Sequence, residues 1–542
     1  MFTFKNYFIG GGNTKQWTVL KHNGPLFPPE YIPHKIPIIV KNNNIILPPL
    51  AEEYATMFAK YIDTKYYEMN NFKKNFWKDF KPTLRDIKID SLDEIDFSLI
   101  KKHLEKEKEK KSLLSKEDKN IIKNRQQIEE EPYMHCIIDG NQQKVGNYKI
   151  EPPGIFLGRG SHPKIGKIKT RIYPEDVILN LDKESPIPKL FNNHKWGKII
   201  HDNTVIWLAT WKDNITGKNK YIFTSFESFF KSKSDEDKFD LAKKLKRKIN
   251  SIRETYEKEL DSNNNKNKQL ATALYLIDNL ALRVGGKKDS KEQADTVGVT
   301  SLRVEHISLL DNNTIKLDFL GKDSVRYCRK VNVLSKVYEN LNEFTTNKSK
   351  KEELFELITS SSLNEYLDSF MNGLTAKVWR TYNASFIFQK ELDKLTSNNK
   401  IEIFTEKEER LHFLISIFNH ANTEVALLCN HQKAVTTNLD NSIDKIDIKI
   451  KEFKKKRDKY KELKDNDKLL KITKKIQLLK LKKDSKLKMK NVSLGTSKQN
   501  YIDPRIIFAF IKKYDILPEK LLTEKLISRF QWASSVDKDY RF

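Results

Sequence analysis

From Leu50 to Asp63, in LAEEYATMFAKYID, apolar side chains return every three or four positions, the spacing of an amphipathic helix. The stretch before it, NGPLFPPEYIPHKIPIIV (Asn23–Val40), is punctuated by prolines and reads as loops and short strands. From Leu99 to Glu131 charges of both signs crowd out the apolar residues, which predicts solvent-exposed helices projecting from a body. Residues 132–242 read as mixed strand and loop, and NYKIEPPGIFLGRGSHPKIGKIKTRIYPEDV is dense in Gly, Pro and basic residues. Such loops suit the tracking of a phosphate backbone. Residues 243–437 are mainly helical in pattern, as in QLATALYLIDNLALRVG. One alternating stretch, IKLDFLGKDSVRYCRKV, predicts a hairpin around Gly321-Lys322-Asp323. In 439–490 apolar residues recur at Ile443, Ile446, Ile450 and Phe453, then at Leu469, Ile472, Ile476 and Leu479. KDNDK (Lys464–Lys468) divides the two halves, so the pattern predicts two antiparallel helices sharing one seam. A dimerising coiled coil is the alternative, though each half is short for it. Last, Asp503-Pro504 reads as an N-cap and first-turn proline ahead of the apolar run Ile506, Ile507, Phe508, Phe510 and Ile511. The expected class is α+β, in several domains.

Length and charge narrow the picture. A chain of 542 residues has room for roughly three or four domains. Its 100 Lys+Arg against 73 Asp+Glu leave +27, which favours a polyanionic partner, nucleic acid ahead of an anionic membrane surface. Residues 439–490 alone hold 20 Lys/Arg and 9 Asp/Glu, a net +11. No run approaches the length of apolar sequence that crosses a bilayer, and no signal peptide is expected. Cys136, Cys328 and Cys429 form no CxxC pair, which points to a reducing compartment without a disulfide framework or structural zinc. No Walker A spacing occurs, so ATP-driven chemistry loses ground. Asn, Lys and Ile are heavily used (KNNNII, DSNNNKNKQ), which reads as compositional bias rather than function.

Candidate chemistry centres on Tyr501, flanked by Lys498, Asn500 and Arg505. Taken alone it reads as a packed aromatic. A phenol that cleaves a phosphodiester makes further demands. It must lose a proton, and phenols hold theirs to a pKa of about 10. Fixed cations must meet the charge on the pentavalent phosphorus, and the departing 5′ oxygen needs an acid. Arginine's planar fork suits the first of these tasks and lysine the second. Arg283 (ALRVGG), Lys322 (FLGKDSVRY), Arg380 (LTAKVWRTYNAS) and His431 (LLCNHQKAV) are the candidates. Each also has a plain structural reading: a helix cap, an exposed turn, a surface ion pair and a satisfied core histidine, respectively. No metal-ligand or carboxylate cluster stands beside them, which is consistent with metal-free chemistry.

Six stretches together resemble the eukaryotic type IB DNA topoisomerases: KIEPPGIFLGRGSHPKIG, ADTVGVTSLRVEHI, FLGKDSVRY, GLTAKVWRTYNAS, LCNHQ and LGTSKQNYIDPRI. They fall in the family's order and span nearly everything from Trp17 to Phe542. The resemblance implies ATP-independent relaxation of positively and negatively supercoiled duplex DNA, by transient cleavage of one strand, rotation and religation. Tyr501 would be the nucleophile of a 3′-phosphotyrosyl intermediate. Arg283, Arg380 and His431 would stabilise the transition state, and Lys322 would be the general acid. Arg159, Asp323, Asn500 and Lys498 would contact DNA or line the site of camptothecin-type inhibitors. It implies no ATP and no obligatory metal, with divalent cations able to stimulate. The partner would be double-stranded DNA, held mostly through its backbone by a monomer with no membrane role. The compartment would be the nucleus, or a viral DNA-replication site if the source is a large DNA virus.

The implied architecture is a bilobed DNA clamp, with a mixed α/β cap lobe and a mainly α, tyrosine-recombinase-like catalytic lobe. Its expected division is 1–37 with 132–242 as a core subdomain, 38–131 as the cap, and 243–437 as the catalytic core. A linker hairpin at 438–490 and a small helical C-terminal domain at 491–542 complete it. The linker's positive charge would add salt-dependent friction to strand rotation. There are departures from the family's pattern. The long charged N-terminal extension is nearly absent, position 157 is Leu where a basic residue is common, and the wording after Arg283 is altered. KKKR (Lys454–Arg457) reads as an import signal or as a linker helix face. Two alternatives stand beside this reading. A site-specific tyrosine recombinase would carry HxxR where this chain has Lys377-Val-Trp-Arg380, and a non-catalytic DNA-binding protein would have kept the scaffold without activity.

Overall fold

Phe72, Phe76 and Phe80 stand four residues apart, so one helix face is a ladder of rings. All three are fully buried, with Phe58 stacked on Phe76 at 4.2 Å between centroids. The computed structural model describes residues 14–85, 87–190, 193–289, 291–397, 406–432, 438–463, 465–488, 490 and 492–542. These fall into two compact units, within Met1–Lys231 plus Lys288–Asp295 and within Ser232–Lys287 plus Thr296–Phe542.

The first unit begins with β1 (Leu20–His22), β2 (Ile38–Val40), β3 (Asn43–Ile45), α1 (Pro49–Ala59), α2 (Asn70–Phe80) and β4 (Ile95–Asp96). The charged helices α3 (Ser98–Leu113) and α4 (Lys116–Glu130) follow. Ile100 is the single buried residue of α3 and α4 has none, as the mixed-charge pattern predicts. Next come β5 (His135–Ile138), β6 (Asn141–Lys144), β7 (Gly154–Ile155), β8 (Ile168–Lys169), β9 (Ile178–Asn180), β10 (Lys198–Ile200), β11 (Trp207–Lys212) and β12 (Asn219–Phe223). They form small sheets of order β3-β2-β4, β1-β5-β6, β7-β8 and β10-β9-β11-β12. The pairing is antiparallel except between β9 and β10.

The long helix α5 (Phe229–Glu259) leads into the second unit, where α6 (Asn265–Leu280) is buried on nearly every face. A three-stranded antiparallel sheet follows: β13 (Ile307–Leu310), β14 (Thr314–Leu320) and β15 (Arg326–Asn332). The alternating pattern predicts the β14–β15 hairpin, in register Leu320↔Arg326, while β13 was expected as part of a helical region. Its four residues are too few to show a period. Helices α7 (Ser335–Thr345), α8 (Ser360–Phe370), α9 (Ala376–Thr396) and α10 (Lys407–Leu428) complete the body. α11 (Asn438–Glu462) and α12 (Asn466–Lys488) then form a hairpin.

Ile443, Ile446, Ile450, Ile472 and Ile476 are the buried seam of that hairpin, and Lys483 reaches Asp447 at 2.6 Å across it. Such half-exposed pairs contribute under about 1 kcal/mol, so the isoleucines hold the hairpin. Lys464, expected at its break, lies outside the described residues. The chain closes with α13 (Leu494–Asn500), α14 (Pro504–Lys513) and α15 (Glu524–Arg529). Asp503 caps α14 as predicted, but the polar run before Tyr501 is itself a short helix. No described helix is long and apolar enough to cross a membrane.

One buried carboxylate ties three helices of this unit together. Asp278 on α6 accepts from Arg253 (2.7 and 2.9 Å) and Tyr256 (2.9 Å) on α5, and from the indole of Trp379 on α9 (3.0 Å). Its backbone carbonyl takes the Asn383 amide at 2.7 Å. Removing the carboxylate strands two buried donors and a guanidinium. Asp278→Ala should therefore lose about 3 kcal/mol of stability or more, read by chemical denaturation. A loss below about 1 kcal/mol would contradict this role.

Candidate active site

Helix α6 stops at Leu280 because Ala281 turns into the left-handed region, at φ 47°. Arg283 therefore lies beyond the helix end, in a short extended segment. That segment is clamped by a second one: Val299 N–H donates to Arg283 C=O at 2.9 Å and Thr300 N–H to Val284 C=O at 2.8 Å. The two backbones approach through a glycine pair. A Cβ on Gly298 would lie 2.5 Å from Gly285 Cα and 2.6 Å from the Arg283 oxygen, and Gly285 itself has φ +81°. One residue back, Val297 N–H donates to Leu320 C=O at 2.8 Å, the last residue of β14. The DTVGVTS stretch thus fixes Arg283 and the base of the Lys322 turn against each other.

Lys322 opens that turn and is exposed. Asp323 and Ser324 after it take φ 66° and 59°, a conformation Asp tolerates better than most residues. The CNHQ turn is latched to the same hairpin. Asn430, at φ 52°, donates its amide to Arg326 C=O at 3.2 Å, and Gln432 donates to the same oxygen at 3.1 Å. His431 is buried between them.

Tyr501 is the C-cap of α13 and is buried, 6% exposed. Its N–H donates to Ser497 C=O at 2.9 Å. On α9, the Ser385 hydroxyl donates to Tyr501 C=O at 3.1 Å and accepts from Asp503 N–H at 3.0 Å. Lys238 holds the preceding carbonyl, of Asn500, at 3.2 Å. With the backbone gripped on both sides, the side chain meets three of the predicted residues. Arg283 Nη1 donates to the Tyr501 hydroxyl oxygen at 2.9 Å. The Arg380 guanidinium carbon sits 5.0 Å from the ring centroid, and the His431 ring stacks at 5.5 Å and 24°.

Arg380 is no surface ion pair: it is 4% exposed and held by backbone carbonyls, donating to Ala281 and, at 2.6 Å, to Cys429. Nor is His431 a satisfied core histidine. Its Nδ1 is 2.8 Å from the Ser497 hydroxyl, but its buried Nε2 has no partner among the described residues, and neither has Arg380 Nε. Burial, then the Arg380 and Arg283 charges, bring the His431 pKa from 6.5 down to about 3.

Arg283, Lys322, Arg380 and His431 line one cavity of about 130 Å³, in which Asp323 is the single carboxylate among the described residues. Lys498, Asn500 and Arg159 are not among the residues that line it. Lys498 is turned into the C-terminal segment, its ammonium donating to Leu521 C=O at 2.7 Å, and burial lowers its pKa. Asn500 donates its amide to Thr496 C=O at 3.1 Å. Arg159 is on an exposed bend of the first unit, and Leu157 packs against that unit's aromatic cluster, where an apolar residue is at home. Sequence reasoning missed Ser497, Ser385, Gly298 and Asp278. Of these, Gly298, between two β-branched residues in TVGVT, carried the plainest signal, a demand for close backbone approach.

Comparison with known proteins places the chain in a class. Residues 227–464 match the profile of the eukaryotic DNA topoisomerase I catalytic core, 15–224 that family's DNA binding fragment, and 473–542 a C-terminal topoisomerase domain. The chain is 41% identical to DNA topoisomerase 1 of Caenorhabditis elegans, over 97% of this chain and 68% of that protein. It is 39% identical to the Homo sapiens protein of the same name (97% and 72%), and 40% to DNA topoisomerase 1 beta of Arabidopsis thaliana (98% and 60%). The chain belongs to the eukaryotic DNA topoisomerase I family. It spans between 60% and 72% of the length of these three relatives.

The protonation state of His431 is directly measurable. Below 6.5 the unfolded chain binds a proton that the folded chain refuses until about 3. The burial of this ring therefore costs no stability above that window and costs progressively more as pH falls through it. Histidine NMR should show the His431 ring neutral from about pH 8 to pH 5, where an ordinary histidine titrates. Titration near 6.5 would contradict the geometry.

Proposed function

We propose that the protein relaxes supercoiled duplex DNA of either sign without ATP. The reading is carried by two buried, unpartnered nitrogens, Arg380 Nε and His431 Nε2, beside a phenol that already accepts from Arg283. Two donors without an acceptor, in a cavity lined by Arg283, Lys322 and Arg380, suit a group rich in non-bridging oxygens, and a phosphodiester is such a group. Tyr501 Oη attacks phosphorus, the bond to the 5′ oxygen breaks, and a 3′-phosphotyrosyl link replaces it. Arg283, Arg380 and His431 meet the charge on the pentavalent phosphorus. The phenol proton leaves to solvent, and Lys322 supplies one to the departing 5′ oxygen. The tyrosyl link keeps the bond energy, so religation is the same path reversed.

The +27 excess supports a grip on DNA through phosphates, largely independent of sequence. Arg159 and Asp323 stay exposed on their turns, which suits contact with the duplex or with a camptothecin-type inhibitor at the nick. Asn500 is a proposed member of that site on family likeness alone. For Lys498 the reading narrows to support of the C-terminal segment, because its charge is already engaged. The α11–α12 hairpin, with its net +11, would drag weakly on the rotating duplex.

Plasmid relaxation in EDTA, without ATP, tests the proposal. The protein should relax both signs of supercoil and Tyr501→Phe neither, while camptothecin should raise the yield of protein-linked nicks. Inactive wild type, or an active Tyr501→Phe, would overturn it. With residues 440–489 removed and the ends rejoined, the same assay should lose part of its salt dependence; an unchanged salt response would remove the linker from the account.

A further inference from the structure

We propose that Ser497 is a positioning residue that makes His431 a neutral hydrogen-bond donor toward the scissile phosphate and couples that state to the seating of Tyr501. The inference rests on the function proposed above. A neutral imidazole carries its proton on one nitrogen, and its partners decide which. His431 Nε2 is the buried nitrogen without a partner, in a ring that lines the cavity. It can donate to a phosphoryl oxygen only if it bears the proton, and then Nδ1 must accept. The atom 2.8 Å from Nδ1 is the Ser497 hydroxyl, which can donate. A carbonyl or carboxylate there would take the proton on Nδ1 and turn an Nε2 lone pair toward the phosphate oxygens. The other escape, an imidazolium, is disfavoured by burial and by the Arg380 and Arg283 charges.

Ser497 is fully buried, so water is a poor replacement for its hydroxyl. Its backbone adds the coupling. Ser497 C=O accepts from Tyr501 N–H at 2.9 Å and from Ile502 N–H at 3.0 Å. The N–H of Ser493, at the start of α13, donates to His431 C=O at 2.8 Å. The short helix that ends in Tyr501 is therefore registered on the histidine at its start, through Ser493, and at its middle, through Ser497. When α13 is seated, the phenol and the Nε2 donor are set together; when it shifts, both are lost. A serine inside a polar helix one turn before Tyr501 thereby acquires a role distinct from capping.

Two measurements test this. In single-turnover cleavage of a duplex oligonucleotide truncated just past the scissile bond, Ser497→Ala should slow cleavage about tenfold, the worth of one buried hydrogen bond. In a His431→Ala background the same change should cost less than about twofold, because the two residues act as one unit. An equal loss in both backgrounds would mean a merely structural role, and no loss in either would mean none; each overturns the proposal. The second measurement needs no turnover. Nitrogen-15 histidine NMR of the Tyr501→Phe protein bound to a duplex oligonucleotide should show His431 protonated on Nε2 alone. A proton on Nδ1, or on both nitrogens, overturns the proposal even if Ser497→Ala fails to fold. Because the tautomer is read without cleavage, its failure and a failure to relax plasmid are separate results.

Discussion

Two guanidinium groups and an imidazole surround one buried phenol, and like charges gathered in a partly dry cavity repel each other. The bonds around Tyr501 hold that arrangement in a cavity whose single carboxylate among the described residues is Asp323. Arg380 is fixed by the carbonyls of Ala281 and Cys429, so its charge is placed without being cancelled. Arg283 is fixed by the backbone clamp through Gly285 and Gly298, which admits no side chain between the strands. Asp278, five residues before Arg283, is spent on Arg253, Tyr256 and Trp379 instead. In this way α9 gains a rigid anchor one residue from Arg380, and the charge of Arg380 is left available.

Burial first, and then the same repulsion, keep His431 neutral. A further cation beside Arg283, Lys322 and Arg380 would raise the repulsion, whereas a neutral ring still presents a hydrogen-bond donor. Arg380 Nε and His431 Nε2 have no acceptor among the described residues, and on the proposed function a phosphodiester would bring acceptors. In the proposed reaction, binding and catalysis would draw on one preorganised set of donors, strongest when charge builds on the non-bridging oxygens. The grip on the rest of the duplex needs less precision. On the proposed function it would come from dispersed Lys and Arg, whose pull weakens with salt while the buried site is screened far less.

Much of this was legible from residue order alone, for reasons that differ by element. The α11–α12 seam was readable because Ile443, Ile446, Ile450, Ile472 and Ile476 repeat at helical spacing and nothing else competes for them. The β14–β15 hairpin showed through strict alternation, and Asp503-Pro504 through cap chemistry. α13 was missed because LGTSKQN has neither an apolar face nor a strong cap; its order comes from tertiary bonds such as the Asn422 amide to Leu494 C=O at 3.2 Å. β13 was missed for its brevity. Among the site residues, Tyr501, Arg283, Arg380 and His431 stood in recognisable wording, and their convergence was not readable. Lys498 sits beside Tyr501 in sequence, but its ammonium is turned to Leu521 C=O, a distinction that linear proximity hides.

The central claim is that this cluster of donors exists to serve the Tyr501 oxygen at phosphorus. The most direct measurement is to trap protein with a duplex oligonucleotide radiolabelled at either end of the cleaved strand, digest it, and sequence the DNA-linked peptide by mass spectrometry. The account predicts one adduct, on Tyr501, carrying the strand segment upstream of the nick through its 3′ phosphate and leaving a free 5′ hydroxyl. An adduct on another residue, or a link to a 5′ phosphate, would contradict it.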